Sequence, residues 1–577
     1  MEKLGKLYKF LSILNVVVLL LLEVTSADLG DADPVVLTKY GKVRGIRTKE
    51  HYEFRKIPFA KPPLGQLRFK PPQEPEAWTD ILHNEDFPEY CIQWNTFWNT
   101  TEGIEDCLYT NVFTPNHPGK SDKKLPVMVY IHSGGFMFGR GAQFRADYLM
   151  ETKKVVAVVF QYRLGSFGFL NTEDSHSFGN MGMKDQVLAL KFVQENIDKF
   201  GGDPNQVMIF GTSAGAASVH YHLLSPLSKG LFHSAFSGSG TALCPWAFQR
   251  NPKNSAIKLA KLLSCPTDNS EQLVDCLRNR DADEIGFAHS KLMDWATDPI
   301  AAFGPSLEVG NPDPTTKFIH AHPADIIQSG KVNEVPWIVG FNSDEGYEHT
   351  LSIFRDSKLM LELNGKPDEI YPITLEYVNE SDQTKKQITD KVREFYFKNE
   401  DICDRNMKNL SNVYSDKTYV LCTLRSAYRH AKIGKPDTHP IYLFQFDYKG
   451  KSSIVTLRGF SREGFGSNHM DDIQYLINSP LFEFIDEESQ DKPFQKEYVE
   501  MITNFAVTRK IAAFSQDRPD DVWQPLDPGG NIKWYHVTSQ PKMEPITDAW
   551  SQRMHFWDQF DLQEYSVAGK TQPRDEL

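Results

Sequence analysis

The stretch that most constrains this chain is Val207-Met208-Ile209-Phe210-Gly211-Thr212-Ser213-Ala214-Gly215-Ala216-Ala217. Four apolar residues read as a buried strand, small helix-favouring residues follow, and G-x-S-x-G lies between them. A serine on so tight a strand-to-helix turn sits in a strained backbone. Side chains two positions to either side would strike the turn or the packed helix, so Gly211 and Gly215 are required there. The turn lifts the Ser213 hydroxyl off the end of the sheet, and the helix opening at Ala214 aims its N–H groups into the same space. With 37 glycines in 577 residues the pattern alone arises by chance, so the strand before it and the helix after it are what mark Ser213 as a nucleophile.

The surrounding chain repeats that alternation. Apolar runs predict strands at Pro126–His132, Val155–Arg163, Val207–Phe210, Val335–Phe341 and Ile441–Tyr448. The first four are nearly continuous, as expected of strands covered on both faces. Apolar residues at Val187, Leu188, Leu190, Val193 and Ile197 predict a helix over Gln186–Phe200, leading into the Val207 strand. The order is β-α-β, hence an α/β fold with a large, mostly parallel central sheet covered by helices on both faces. Ligands of such sheets lie beyond the carboxyl ends of the strands.

Three further segments fall at those ends. His132-Ser133-Gly134-Gly135-Phe136 follows the Pro126 strand, and adjacent glycines turn backbone N–H groups into a pocket without an obstructing Cβ. With the N–H of Ala214, those of Gly134 and Gly135 would form an oxyanion hole. Asn342-Ser343-Asp344-Glu345-Gly346 follows the Val335 strand, and Gly466-Ser467-Asn468-His469-Met470-Asp471-Asp472 lies downstream of the Ile441 strand. Nucleophile, acid and histidine therefore stand in the order Ser213, Glu345, His469, with Asp344 an alternative acid. One catalytic unit reaching from residue 213 to residue 469 excludes the three or four small domains that length alone suggests, and no linker, repeat or low-complexity segment divides the chain.

The termini read as addresses. Lys3, Lys6 and Lys9 precede the apolar run Phe10–Leu22, and Thr25-Ser26-Ala27 supplies a cleavage site, so residues 1–27 are expected to be a signal peptide. The run is short of the roughly 20 residues that span a bilayer, and no stable membrane insertion is expected. Arg574-Asp575-Glu576-Leu577 is a variant of the K-D-E-L retrieval signal and implies a retrieval receptor as partner. The reading is residence in the endoplasmic reticulum lumen, with secretion as the fallback. The catalytic domain is then 28–562, followed by a tail at 563–577.

Seven cysteines suit an oxidising compartment, and their odd number leaves one unpaired. Short spacings suggest Cys91–Cys107 and Cys265–Cys276, leave Cys403–Cys422 as a third candidate pair, and make Cys244 the free thiol. Sequons stand at Asn99, Asn379 and Asn409. A net charge of -13 without any Lys/Arg-rich block argues against a nucleic-acid partner. His220 and His222, two apart on a helix, face different directions, and no metal site is expected from them.

The chain resembles the carboxylesterase/cholinesterase family of α/β-hydrolases over nearly all of its mature length. The resemblance rests on the segments above together with Ile57-Pro58-Phe59-Ala60, Pro62-Pro63-Leu64-Gly65, Arg68-Phe69 and Glu105-Asp106-Cys107-Leu108-Tyr109. It also rests on Tyr162-Arg163-Leu164-Gly165, Gly179-Asn180, Asp185-Gln186 and Phe200-Gly201-Gly202-Asp203-Pro204. Insect esterases look most similar, and the tail resembles that of microsomal carboxylesterases. The resemblance implies a serine carboxylic-ester hydrolase with Ser213, Glu345 and His469 as triad, favouring Glu345 over Asp344. It implies Gly134, Gly135 and Ala214 as oxyanion donors and a small-molecule ester as substrate, and it supports the two short disulfides. No cofactor is called for.

By the same resemblance Trp246 lines the acyl pocket, with a plain core role as its rival. Two departures stand out. Thr212 replaces the family's usual Glu or Gln, which counts against choline esters, and Ser133 replaces a third glycine. Trp94 and Trp98 do not align with the cholinesterase aromatic platform. Two rival functions are an inactive adhesion homologue, in which the nucleophile or histidine is usually lost, and a lipase-type or hormone-specific hydrolase, distinguished by pocket shape.

Overall fold

The computed structural model describes residues 33–95, 99–120, 123–511, 522–529, 532–562 and 565. The signal segment, the retrieval tail and Trp98 lie outside them. One sheet of eleven strands organises the rest. In chain order these are β1 Ile46–Arg47, β2 Tyr52–Pro58, β3 Tyr109–Thr114, β4 Leu125–Ile131, β5 Val156–Phe160 and β6 Gly202–Thr212. Then come β7 Ser234–Gly238, β8 Trp337–Asn342, β9 Ile441–Phe446, β10 Lys533–Val537 and β11 Lys542–Pro545. The spatial order is β11-β10-β9-β8-β7-β6-β4-β5-β3-β2-β1. From β10 across to β5 every pairing is parallel, and the strands at both edges are antiparallel.

The apolar runs belong to strands buried on both faces, as their lack of alternation predicts. Val127, Val129, Ile131, Val207 and Ile209 join one hydrophobic core, while Met128, Tyr130, Met208 and Phe210 join the other. On the first face pack α1 (Met181–Asn196) and α2 (Ala214–Leu224), through residues such as Leu190, Val193, Ala217 and Val219. On the second packs a long helix, Lys492–Thr508, through Val499, Ile502 and Phe505.

The chain runs from β4 outward to β5, then returns to place β6 on the other side of β4. That reversal is the topological switch point, where the loops leaving two adjacent parallel strands diverge and open a crevice. Here those loops are the Gly134-Gly135 turn and the Ser213 turn, and Ile131 pairs directly with Gly211. The strand ends differ slightly from expectation. The Val155 strand stops at Phe160 because the Arg163 backbone and guanidinium turn inward to the buried Asp185 carboxylate at 2.7–3.0 Å. The helix begins at Met181 and finishes in a 3₁₀ turn over Ile197–Phe200.

Cys91–Cys107 and Cys265–Cys276 form as expected, but the third pairing does not. Cys244 is bonded to Cys422, 178 residues away, and Cys403 is the free thiol. The expectation used nearness in sequence. Instead, the helix Leu421–Ile433, which carries Cys422 in its first turn, packs across β8 and so reaches the segment that follows β7. Cys403 sits partly exposed at the start of a 3₁₀ turn.

Candidate active site

Ser213 adopts φ 57° and ψ -125°, a conformation costly for a residue with a Cβ and tolerated where a turn aims a side chain. Its N–H is held by Gly238 O at 2.9 Å. Both neighbouring glycines are there for space. A Cβ on Gly215 would lie 2.0 Å from Ile131 O, and one on Gly211 would lie 2.6 Å from the same oxygen. The serine is buried but reachable, 8% exposed, as is His469. Among the described residues its hydroxyl makes no hydrogen bond, the loose arrangement common before a substrate binds.

Beside it, Gly134 has φ 113° and Gly135 φ 61°. A Cβ on Gly134 would fall 1.8 Å from Phe138 O, so the turn requires glycine. Among the described residues the N–H groups of Gly134, Gly135 and Ala214 donate to no protein acceptor. All three donors lie on the turns that leave the adjacent strands β4 and β6. Ser133 directs its hydroxyl to Met470 Sδ at 3.7 Å, tying this turn to the loop that carries His469.

Glu345 and His469 leave β8 and the segment beyond β9, both on the same side of the sheet. Glu345 Oε2 lies 2.6 Å from His469 Nδ1, while Oε1 accepts the Asn342 N–H at 2.6 Å. Burial alone would lower the His469 pKa, but the charge and hydrogen bond of Glu345 outweigh it and raise the imidazole above its ordinary value. Asp344 points elsewhere. It pairs with Lys408 and accepts the Gly466 N–H, and its backbone N–H donates to Ser467 O at 2.8 Å. It therefore laces the acid loop to the histidine loop rather than touching the imidazole. The one-residue difference between Asp344 and Glu345 decides which carboxylate meets His469.

The sequence profile of the Carboxylesterase family matches residues 32–557. The chain belongs to that family. A carboxylic ester hydrolase of Bombus ignitus is 35% identical over 571 residues, covering 96% of this chain and 100% of that one. Venom carboxylesterase-6 of Apis mellifera is 36% identical over 486 residues, 82% of this chain and 85% of that one. Juvenile hormone esterase of Tribolium castaneum is 36% identical over 499 residues, 82% and 83% respectively. The crystal structure of juvenile hormone esterase from Manduca sexta, with OTFP covalently attached, superposes with a TM-score of 0.81 at 24% identity. That match covers 92% of this chain and 99% of the other. This chain is a carboxylic ester hydrolase on the α/β-hydrolase fold.

The remaining sequence candidates of this esterase fall into place. Trp246 is almost fully buried, donates its indole N–H to Thr418 O at 2.9 Å, and lies 6.3 Å from the Phe136 ring. Thr212 is wholly buried with its hydroxyl unpartnered. His220 and His222 do diverge: the first meets His430 and the Ala242 N–H, the second Ser228 and Gln186. Trp94 packs edge-on against Phe287.

Two residues went unread in the sequence. Asp472 bonds the Asn342 amide at 3.3 Å, and burial, with the Glu345 charge adding, pushes its pKa up to about 6. Its position three residues after His469 was the available signal. Tyr419 lays its ring 4.5 Å from that of His469, and no pattern in the sequence pointed to it.

Proposed function

We propose that this esterase works through a Ser213–His469–Glu345 triad and an acyl-enzyme intermediate. The observation that supports the reading is the 2.6 Å Glu345–His469 contact, beside which stands the strained backbone of Ser213. His469 Nε2 takes the Ser213 proton as Oγ bonds to the ester carbonyl carbon, and the carbonyl π electrons move to oxygen. The N–H groups of Gly134, Gly135 and Ala214 hold that oxyanion. The tetrahedral centre then collapses, the alkoxide leaves with the proton from His469, and Ser213 keeps the acyl group. Water attacks next, giving its proton to His469, which returns it to Ser213 as the acid departs. Glu345 fixes the imidazole tautomer and balances its positive charge. Every step uses the chain's own groups.

The substrates in this reading are small lipophilic esters, xenobiotic or hormone-like. Supporting that class, among the relatives is a juvenile hormone esterase. Ser213→Ala should lower turnover of a nitrophenyl acetate by on the order of 10⁴-fold or more, and an organophosphate should label Ser213 in the wild type. Retained turnover in the variant would refute the assignment. A profile across acyl and alcohol chain lengths then defines the substrate.

We further propose one catalytic domain over residues 28–562 and residence in the endoplasmic reticulum lumen through the Arg574–Leu577 signal. No helix among the described residues is long and apolar enough to cross a membrane. Of the three sequons, Asn99 and Asn379 are exposed, whereas the Asn409 amide donates to Tyr396 O at 2.9 Å, so the first two suit glycans better. Deleting the last four residues should release active enzyme into the medium. Equal release of both forms would remove retrieval from the reading.

A further inference from the structure

A second imidazole–carboxylate pair stands beside the triad residues. The helix that follows the acid loop, α3 (Tyr347–Arg355), carries His349, four residues beyond Glu345. His349 Nε2 lies 3.2 Å from Asp298 Oδ2. Asp298 is completely buried, and among the described residues neither of its carboxylate oxygens accepts a hydrogen bond from any other group. The imidazole is partly open, its side chain 18% exposed, and its ring lies 4.1 Å from that of Tyr414 on α4 (Met407–Ser415). The two helices meet closely here: a Cβ on Gly346 would fall 2.4 Å from Ser411 O.

A carboxylate shut away from water without hydrogen bonds is costly unless a countercharge touches it, so the pair is held best with His349 protonated. Two more carboxylates face the imidazole. Glu348, on the same helix, is bound by Arg458 at 2.7 Å, and Glu376 accepts the Ile300 N–H at 3.3 Å. Burial alone would lower the His349 pKa, but Asp298, with Glu348 and Glu376 adding, raises it above its ordinary value.

Asp298 begins a loop that rests on the Gly134-Gly135 turn. The Asp298 N–H donates to Trp295 O at 2.8 Å, and its carbonyl accepts the Asp294 N–H at 2.7 Å, so the backbone at its root is fixed. Two residues on, Ile300 O lies 3.2 Å from where a Cβ on Gly135 would stand, and the Phe303 N–H donates to Met137 Sδ at 3.3 Å. The ion pair therefore joins the helix that leaves the Glu345 loop to the loop lying against the donor turn.

We infer that the His349–Asp298 ion pair is a positioning device for the oxyanion donors, bracing the loop against Gly134-Gly135 from the helix of the triad acid. The inference rests on the triad and oxyanion-hole reading above. The sign of its pH dependence is fixed. The pair is intact while His349 is charged and is lost as pH rises through the His349 pKa, leaving Asp298 without its cation. Turnover then needs His469 neutral and His349 protonated, and kcat has an alkaline limb besides the acid limb set by His469.

The test compares wild type with His349→Gln, Asp298→Asn and the double variant on nitrophenyl acetate from pH 5 to 10. An organophosphate titre at each pH counts working Ser213, which separates loss of fold or of the triad from loss of rate. Wild-type kcat per site should fall at alkaline pH. His349→Gln should abolish that limb and lower kcat about tenfold at neutral pH with KM little changed, as expected when donors shift slightly. Asp298→Asn leaves His349 to burial and the weaker Glu348 and Glu376 charges, so its alkaline limb should move to lower pH. The double variant, with no buried charge left over, should recover most of the His349→Gln loss and show no alkaline limb. An alkaline limb that survives in His349→Gln at full titre, or losses that add in the double variant, would overturn the inference alone. A wild type that no organophosphate titrates would overturn the triad reading and the inference with it. Should His349→Gln fail to fold, Asp298→Asn still decides the matter, because an unmoved alkaline limb there would also overturn it.

Discussion

Replacing Glu345 by Gln tests the electrostatics of the site most directly. Gln keeps the size of the side chain, and its carbonyl oxygen still accepts the Asn342 N–H, so the acid loop should fold as before. What disappears is a negative charge in contact with Nδ1. Two unit charges about 4 Å apart interact by about 4 kcal/mol at the effective dielectric of ~20 suited to protein sites. That energy corresponds to about 10³-fold in rate, because the imidazolium forms only on the way to the transition state. A Gln amide that donates to Nδ1 would also hold the tautomer protonated on Nε2, the wrong one for a base, so the loss in kcat should be about 10³–10⁴-fold with KM little changed. The pH dependence gives a second, signed readout. In the wild type Glu345 raises the His469 pKa against the lowering effect of burial. The base must be neutral, so the acid limb of kcat/KM stands above the ordinary histidine value. Without Glu345 only the smaller effects of the Glu348 and Asp472 charges oppose burial, so the pKa falls and the limb moves to lower pH. Steady-state rates on nitrophenyl acetate from pH 5 to 9, normalised to sites titrated with organophosphate, measure both effects. Asp344→Asn serves as control and should cost far less, since Asp344 joins Lys408 and Gly466 rather than the imidazole. An unmoved acid limb in Glu345→Gln, or a larger loss in Asp344→Asn, would refute the reasoning.

Gly134→Ala places a Cβ where Phe138 O stands, so the turn must shift and its donors with it; kcat should fall by about 10²–10³-fold, and an unchanged kcat would remove Gly134 from the oxyanion hole. Asp472, with its pKa raised to about 6, binds its proton more tightly folded than unfolded, so it lowers stability as pH rises from about 4 to about 6. Asp472→Asn should therefore gain on wild type by about 2–3 kcal/mol between pH 4 and pH 7, read by urea unfolding at both, and an equal difference at the two would contradict the assignment. Cys91→Ala/Cys107→Ala opens a short loop and should cost about 3 kcal/mol of stability, whereas Cys403→Ser should leave thermal unfolding unchanged.

The sheet and the turns at its strand ends were legible because each rests on local signals. Strands covered on both faces read as unbroken apolar runs, and Val127–Ile131 and Val207–Phe210 could hardly be anything else. Ser213, Gly134 and Gly135 announce themselves through glycines that the turn geometry demands. Glu345 was separable from Asp344 only by resemblance, since the choice depends on where two adjacent side chains leave one loop. Nothing local revealed Cys244–Cys422, because nearness across 178 residues is a property of packing. The π-helical turn Asp416–Val420 was invisible for a related reason. It has no composition distinct from the helices on either side, and its partners, Tyr396, Arg553, Trp246 and His469, come from distant parts of the chain.

The division between what was legible and what was not follows a division of labour in the molecule. Ser213 and the three donor N–H groups stand on the switch point of the sheet, where parallel strands leave the backbone few choices and any added atom meets a carbonyl. The histidine and its acid are carried by longer loops, and a lattice of side chains fixes them: Asn342 to Asn468 O, Asp344 to Lys408, Asp471 to the Asn468 N–H. Trp246 and Tyr419 come from segments outside the sheet, the stretch after β7 and the helices between β8 and β9. Exchanges there leave the backbone at the strand ends unchanged. Exchanges at Gly134, Gly211 or Gly215 have no such freedom, since the space their side chains would occupy is already filled by backbone.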